Sequence, residues 1–453
     1  MREDLEQEQL PGPVSRQVAL LTLGCKINQY DTNSLIADLE FQGHTVVSNP
    51  VLAEVVVVNT CTVTGKTDYK GRQLIRRVRH ENPDATVIVT GCYAQVQPRK
   101  VAAIPGVDYV LGNEEKSLIS SLVGSCRRRS TPQILVGGLD RERRLEDGCP
   151  GVHSGTTRAF LKIQDGCDYA CSYCIIPRAR GRSRSLPPAR LEEKIGLLGA
   201  KGFQEVVLCG IHLGMYGQDL DPATSLLELL TGLEREGPVS RIRISSIEPN
   251  EVKPEMVALF AGARHLCSHF HLPLQSGDPG ILRAMNRRYT PSEFTSLVEA
   301  IHREIPGAAV GVDVIAGFPG ETEAAFRNTC ELLESLPVSY FHVFPYSHRP
   351  GTVASRLPEP VSPETIRARA EQLRSLGRGK RLAFYRGFLG AQLEVLVEGR
   401  KDRATGLSKG VTRNYLPVLL EAPESVQGAR VGVEVVRVEG GRVWGRLLPG
   451  EPP

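Results

Sequence analysis

The segment DGCDYACSYC gathers three cysteines, Cys167, Cys171 and Cys174, directly after the strand-like stretch AFLKIQ. Thiolates spaced Cys-x3-Cys-x2-Cys on one loop can wrap a face of an iron–sulfur cube. Three ligands leave one iron without a protein donor, the open-position arrangement that marks catalytic rather than structural metal sites. A zinc site completed by a histidine is the competing arrangement, but no fourth ligand follows at finger-like spacing.

A second triplet is spread along the N-terminal part. Cys25 follows VALLTLG, Cys61 follows AEVVVVNT and Cys92 follows ATVIVTG. Each stands just past a run that reads as a parallel strand, and in open α/β sheets ligands bind at that edge. Taken singly, each could be a small buried hydrophobe. Together they predict a second three-thiol site. Of the other five cysteines, Cys126, Cys149, Cys267 and Cys330 follow no ligand spacing, and Cys209, alone at a strand end, reads as packing.

The elements that must position these residues are legible as patterns. Short apolar runs rich in β-branched residues alternate with helical stretches up to about residue 129, as in an open parallel α/β sheet. In DTNSLIADLEFQG, Asp31 or Thr32 is the expected helix cap and Gly43 the stop. The segment 130–152 is rich in charge, Gly and Pro and reads as a linker. Six further strand–helix units over 153–384 fit a partial (β/α)6 barrel with its site at the carboxyl ends of the strands, a doubly wound sheet being the alternative. Residues 386–450 alternate in strand fashion with Gly-rich turns, which predicts a small antiparallel β-barrel of OB-like type. The expected organisation is therefore 16–129, linker 130–152, 153–384 and 386–450.

Composition sets outer limits. With 453 residues, 41% hydrophobic and 23% charged, the chain reads as folded and of roughly three domains. No apolar run approaches the ~20 residues of a membrane helix, and the acidic start MREDLEQEQLPGP does not read as a secretory signal. Eleven cysteines in such a chain argue for metal or redox chemistry in a reducing, cytoplasmic setting rather than for disulfides. A net charge of +4 permits nucleic-acid binding without demanding it.

Basic residues are unevenly placed. Arg178, Arg180, Arg182 and Arg184 follow the cysteine loop at alternate positions. If extended, they would line the mouth of the site with guanidinium groups suited to phosphate. Arg367, Arg369, Arg374, Arg378, Lys380 and Arg381 form a second run, for which a solvated helix face is the plain alternative. Tyr415, in GVTRNYLPV, is placed either to stack on a base or to be a half-buried strand residue.

Taken together, the Cys-x3-Cys-x2-Cys loop with Tyr173 before its last cysteine, LGCKINQYD, NTCTVT, GCYAQ, HLPLQSGD, GFPGET and FPYSHRPGTVA resemble the radical S-adenosylmethionine (SAM) methylthiotransferases over nearly the whole chain. LGCKINQ with Lys26, NTCTVTG and CGIHLGMYG are similar to the branch that acts on N6-threonylcarbamoyladenosine in tRNA. Arg178 departs from that likeness, since relatives often carry an aromatic there. The resemblance implies an α/β N-terminal domain, a radical SAM core and a TRAM-type barrel. It implies two [4Fe–4S] clusters, on Cys25/Cys61/Cys92 and on Cys167/Cys171/Cys174, with SAM at the open iron of the second. Tyr173, Gly210, Glu248 and Gln275 are the expected SAM contacts, though Glu248 and Gln275 could equally satisfy a barrel-end hydrogen bond. Gly317 and Gly320 in GFPGET let the backbone approach a ligand or turn tightly. The implied reaction adds a methylthio group to C2 of an adenine next to the tRNA anticodon, a C–H too weakly acidic for a side-chain base. Its partners would be the tRNA anticodon stem-loop, an electron donor and a sulfur donor, with no membrane. Isopentenyladenosine or a ribosomal-protein aspartate as substrate, and a non-catalytic iron–sulfur RNA-binding protein, are the alternatives.

Overall fold

A computed structural model describes residues 15–139, 145, 148 and 156–449, which form two compact units divided between residues 139 and 140. The expectation for Cys149 lies outside the described residues.

The first unit is a six-stranded sheet of β1 (Gln17–Thr22), β2 (Thr45–Val46), β3 (Val55–Thr60), β4 (Thr86–Gly91), β5 (Tyr109–Leu111) and β6 (Gln133–Leu135), in the order β2-β1-β3-β4-β5-β6. All pairings are parallel. The runs VVVVNT and TVIVTG are buried at every position because both faces of the sheet are covered. β6 corrects the sequence reading, since it lies inside the stretch taken for a linker. Its three residues are too few to show a period, yet Gln133 N–H reaches Asp108 O and the strand pairs with β5. The first helix also starts earlier than expected, at Lys26 rather than at Asp31 or Thr32, and ends at Phe41 before Gly43 at φ +84°. KINQY contains no breaker, and the Thr32 hydroxyl is engaged by Thr22 and Asn59 rather than capping.

In the second unit, β7 (Arg158–Lys162), β8 (Glu205–Cys209) and β9 (Arg241–Ile244) form one parallel sheet, and β10 (His269–Gln275), β11 (Ala309–Ala316) and β12 (Tyr340–Pro345) another. A bridge between Ile242 and Leu266 joins the two halves, giving an open six-stranded (β/α) barrel. Beyond the helix Pro363–Arg386, β13 (Gln392–Lys401), β14 (Ser408–Thr412), β15 (Pro417–Leu420), β16 (Arg430–Glu439) and β17 (Arg442–Leu447) close a small barrel in the order β13-β14-β15-β17-β16. Its own core includes Val395, Val397, Leu416, Val418, Val433 and Val443. Among the described residues no helix is long and apolar enough to cross a membrane.

Candidate cofactor sites at the strand ends

In the first unit, Cys61 and Cys92 stand immediately past β3 and β4, and Cys25 follows the end of β1 after Leu23 and Gly24, at the carboxyl edge of the sheet. Two buried amides tie these ends together. Asn28 Nδ2 donates to Leu23 O at 2.8 Å and to Thr60 O at 3.0 Å, and Asn59 Nδ2 donates to Asn28 O at 3.0 Å. Gly24, at φ +115°, must be glycine, because a Cβ there would lie 2.6 Å from Cys61 Cβ. Cys25 is the N-cap of the helix Lys26–Phe41, whose free N–H groups favour negative charge at that end. Asn113 Nδ2 lies 3.8 Å from Cys92 Sγ. Burial pushes the Cys61 thiol up to about 11, and the thiols of Cys92 and Cys25 add to the rise.

In the second unit, the cysteine loop leaves β7 through the short pair Gln164–Asp165 with Arg184–Ser185. Gly166, at φ +77°, lets the loop cross Arg182 O, which an added Cβ would approach to 1.8 Å. Two of the three sulfurs, those of Cys167 and Cys171, carry or neighbour a donor. Tyr169 N–H reaches Cys167 Sγ at 3.4 Å, Cys167 Sγ lies 3.3 Å from His212 Nδ1, and Arg287 Nη1 donates to Cys171 Sγ at 3.4 Å. Donors to sulfur of this kind stabilise and tune an iron–sulfur cluster. His212 is fixed in turn by Glu251 Oε1, 2.7 Å from its Nε2, and Tyr169 OH donates to the same oxygen at 3.0 Å. Burial pushes both Cys167 and Cys174 up to about 12, with the other thiols of the loop adding to it. A donor set of three thiols with no carboxylate suits a soft iron–sulfur group.

His212, Glu251 and Arg287 were not foreseen as site residues. His212 sits in CGIHLGMYG, read only as a branch signature, and Arg287 in MNRRYT, where the available signal was a pair of adjacent arginines after a helix. Of the expected SAM contacts, all lie at strand ends or on the cysteine loop. Glu248 is ion-paired with Arg287, and burial raises its carboxyl despite that partner. Gln275 ends β10 at φ +66°, and Gly210 follows β8. The ring of Tyr173 packs on the cluster of Ile281, Met285, Ile315 and Phe318. In GFPGET the tight-turn alternative holds: Glu321 Oε1 accepts from Gly317 N–H at 2.9 Å and from Arg369 Nη1 at 2.8 Å.

The RNA expectations need correction in three places. Arg178 and Arg180 are not extended but helical, in Ile176–Arg180, because Pro177 starts a turn that Gly181 stops. Arg180 is buried, with Nη1 2.8 Å from Asp165 Oδ2, whereas Arg178 and Arg182 are exposed and Arg184 half-buried. Tyr415, at φ +66°, is half-buried as expected but lies in the turn between β14 and β15 rather than in a strand; it stacks on His269 with centroids 4.5 Å apart, and the Arg243 guanidinium lies 5.0 Å from its ring. The run after Arg367 is largely paired within the protein. Arg367 meets Glu364, Arg374 and Arg378 meet Glu371, Arg369 is buried against Glu321, and Lys380 caps carbonyls of Glu334 and Leu336.

An open (β/α) barrel with a three-cysteine loop after its first strand defines a radical SAM enzyme, and comparisons with known proteins agree. Residues 161–333 match the radical SAM superfamily and residues 17–112 match the uncharacterized protein family UPF0004. The chain is 39% identical over 411 residues to the threonylcarbamoyladenosine tRNA methylthiotransferase MtaB of Aquifex aeolicus (strain VF5), covering 90% of this chain and 98% of that one. It is 32% identical to the tRNA-2-methylthio-N(6)-dimethylallyladenosine synthase of Pelotomaculum thermopropionicum (strain DSM 13744 / JCM 10971 / SI), covering 93% and 95%. In fold it is similar to the radical SAM methyltransferase TsrM of Kitasatospora setae, with a TM-score of 0.54 at 18% identity over 75% of this chain and 77% of that one. The chain belongs to the radical SAM methylthiotransferase family. As such it is a transferase that works with SAM and iron–sulfur clusters.

Proposed function

We propose that this protein installs a methylthio group on C2 of N6-threonylcarbamoyladenosine next to the tRNA anticodon, in the cytoplasm. The observation that carries the reading is the pair of separate three-thiol groups, each at the carboxyl ends of parallel strands and each short of one protein ligand for a cubane. Cys167, Cys171 and Cys174 would hold one [4Fe–4S] cluster, and Cys25, Cys61 and Cys92 the other. SAM held at the first cluster would supply hydrogen abstraction and a second SAM molecule the methyl group, while the second cluster would supply the sulfur.

The protein's own groups prepare that chemistry. Arg287 donates to Cys171 while pairing with Glu248. His212, fixed by Glu251, sets the position of Cys167. Tyr173, Gly210, Glu248 and Gln275 are the candidates for contact with SAM. Arg178, Arg182 and Arg184 are the remaining candidates for anticodon-loop phosphates. Electrons and replacement sulfur must come from donors outside the chain. The threonylcarbamoyl branch is favoured over the dimethylallyl branch by the greater identity to its members, 39% against 32%.

Mass spectrometry of tRNA nucleosides from cells with and without the gene tests this. The 2-methylthio form of threonylcarbamoyladenosine should vanish while its unthiolated precursor accumulates, and a Cys171→Ala copy should fail to restore it. Loss of the isopentenyl form instead would move the enzyme to the other branch. Unchanged nucleosides would remove tRNA as the substrate.

A further inference from the structure

The barrel lumen holds a second group of ligating side chains that the cluster chemistry does not use. His271 on β10, Asp313 on β11 and His342 on β12 come from the middle of three adjacent strands. Their nearest atoms form an almost equilateral triangle. His271 Nε2 and His342 Nδ1 are 3.2 Å apart, His342 Nδ1 and Asp313 Oδ1 3.2 Å, and His271 Nε2 and Asp313 Oδ1 3.3 Å.

Those lengths discriminate between explanations. Charge-assisted N–H···O⁻ bonds between imidazole and carboxylate settle at about 2.7–2.9 Å, and two N–H groups sharing one oxygen gain nothing from also facing each other. A tetrahedral zinc with bonds of about 2.0 Å places any two of its ligands about 3.3 Å apart. An octahedral ion at about 2.1 Å would draw adjacent ligands in to about 3.0 Å. The triangle therefore has the dimensions of one face of a tetrahedral N2O site.

The surroundings agree. Ser246 Oγ lies 2.7 Å from His271 Nδ1, the outer-nitrogen contact that fixes a ligating imidazole with its other nitrogen on the metal. The His342 side chain is 55% exposed, which gives an ion a way in, whereas His271 and Asp313 are 10% and 20% exposed. Two imidazoles and one carboxylate with a vacant fourth corner are a donor set seen in open, catalytic-type zinc sites.

We propose that His271, Asp313 and His342 form a site for a single divalent cation of the zinc class, its fourth position open to water or to an oxygen donor entering the lumen. It is distinct from both cysteine triplets in residues and in ligand chemistry.

The test uses the cluster-loaded full chain, handled anaerobically, given one equivalent of Zn2+ and then desalted. Elemental analysis should find close to one zinc per chain alongside undiminished iron. Zinc X-ray absorption should show only nitrogen and oxygen neighbours near 2.0 Å, with the outer pattern of imidazole. His342→Ala and Asp313→Asn should each weaken zinc retention about ten-fold or more, with iron content as the control that the barrel has folded. His342→Ala alters an exposed side chain, so a folding failure there is not expected. Absence of retained zinc, a sulfur shell near 2.3 Å from binding to cysteines, or equal retention by both variants would each overturn the proposal.

Discussion

A thiol buried without metal keeps its proton, and that makes the metal-free form of the protein sensitive to alkali. Cys61 is pushed from 9.0 up to about 11, and Cys167 and Cys174 from 9.0 up to about 12, chiefly by burial. In the unfolded chain these thiols ionise near 9, while in the folded metal-free chain they stay protonated. Stability is therefore full below about pH 9 and falls as pH rises toward 11–12. The urea midpoint of metal-free protein should drop over that window, and that of cluster-loaded protein, whose thiolates are already ligated, should not. Matching profiles for the two forms would contradict this account. Arg287 poses a separate question at the same scale. Its side chain is 3% exposed and holds Glu248, itself 16% exposed. Arg287→Met leaves a buried carboxylate unpaired and should cost about 3–5 kcal/mol. Adding Glu248→Gln should recover part of that loss, and urea titration of both variants measures it.

At the scale of elements, what could be read in advance depended on how far apart the partners lie in the chain. Parallel strands announce themselves by continuous apolar runs, so the six cysteines could be assigned to strand ends from spacing alone. His212 with Cys167, and Arg287 with Cys171, join elements 45 and 116 residues apart, and no local pattern encodes such a meeting. The arginines after the loop failed for the opposite reason. Alternation suggested an extended segment, but Pro177 and Gly181 bracket a single helical turn that sends Arg180 inward to Asp165. Two outcomes follow. Arg180→Ala should lower the melting temperature with little change in the salt dependence of RNA binding. Arg182→Ala should weaken RNA binding and lower the slope of log affinity against log salt by about one. Reversed behaviour would place Arg180 at the RNA surface. Gly24→Ala separates the two clusters, because the added Cβ strikes Cys61 in the first unit only. Iron should fall from about eight to about four per chain, with reductive SAM cleavage retained. Loss of SAM cleavage as well would mean the second unit cannot hold its cluster alone.

Across the second unit as a whole, the terminal barrel is built into the core rather than tethered to it. Arg241 and Arg243, fully buried on β9, donate outward to the terminal barrel: Arg241 Nη1 to Val411 O at 3.0 Å and Nη2 to Glu394 Oε1 at 2.7 Å, Arg243 Nη1 to Arg413 O at 2.9 Å and Nη2 to Thr412 O at 3.1 Å. The contact is reciprocal, since Arg413 Nη2 donates back to Leu266 O at 2.8 Å and Asn414 Nδ2 to Gly307 O at 2.8 Å. Between the two arginines sits Glu205, fully buried, whose carboxyl they hold below its ordinary value against the opposing effect of burial. Tyr415 stacks on His269, at the amino-terminal end of β10. A separable RNA-binding module would come away without harm, and ending the chain after Arg386 would lower RNA affinity alone. Here the same truncation strips two buried guanidinium groups of their terminal-barrel acceptors, leaving them Glu205 alone. The truncated protein should be insoluble or fail to unfold cooperatively, and should lose RNA-independent SAM cleavage. Arg243→Met in the full chain strands Glu205 against one partner fewer and should cost about 3–5 kcal/mol by thermal or urea unfolding. A truncated chain that stays folded and cleaves SAM at the full-length rate would show that the terminal barrel is a passenger on the core.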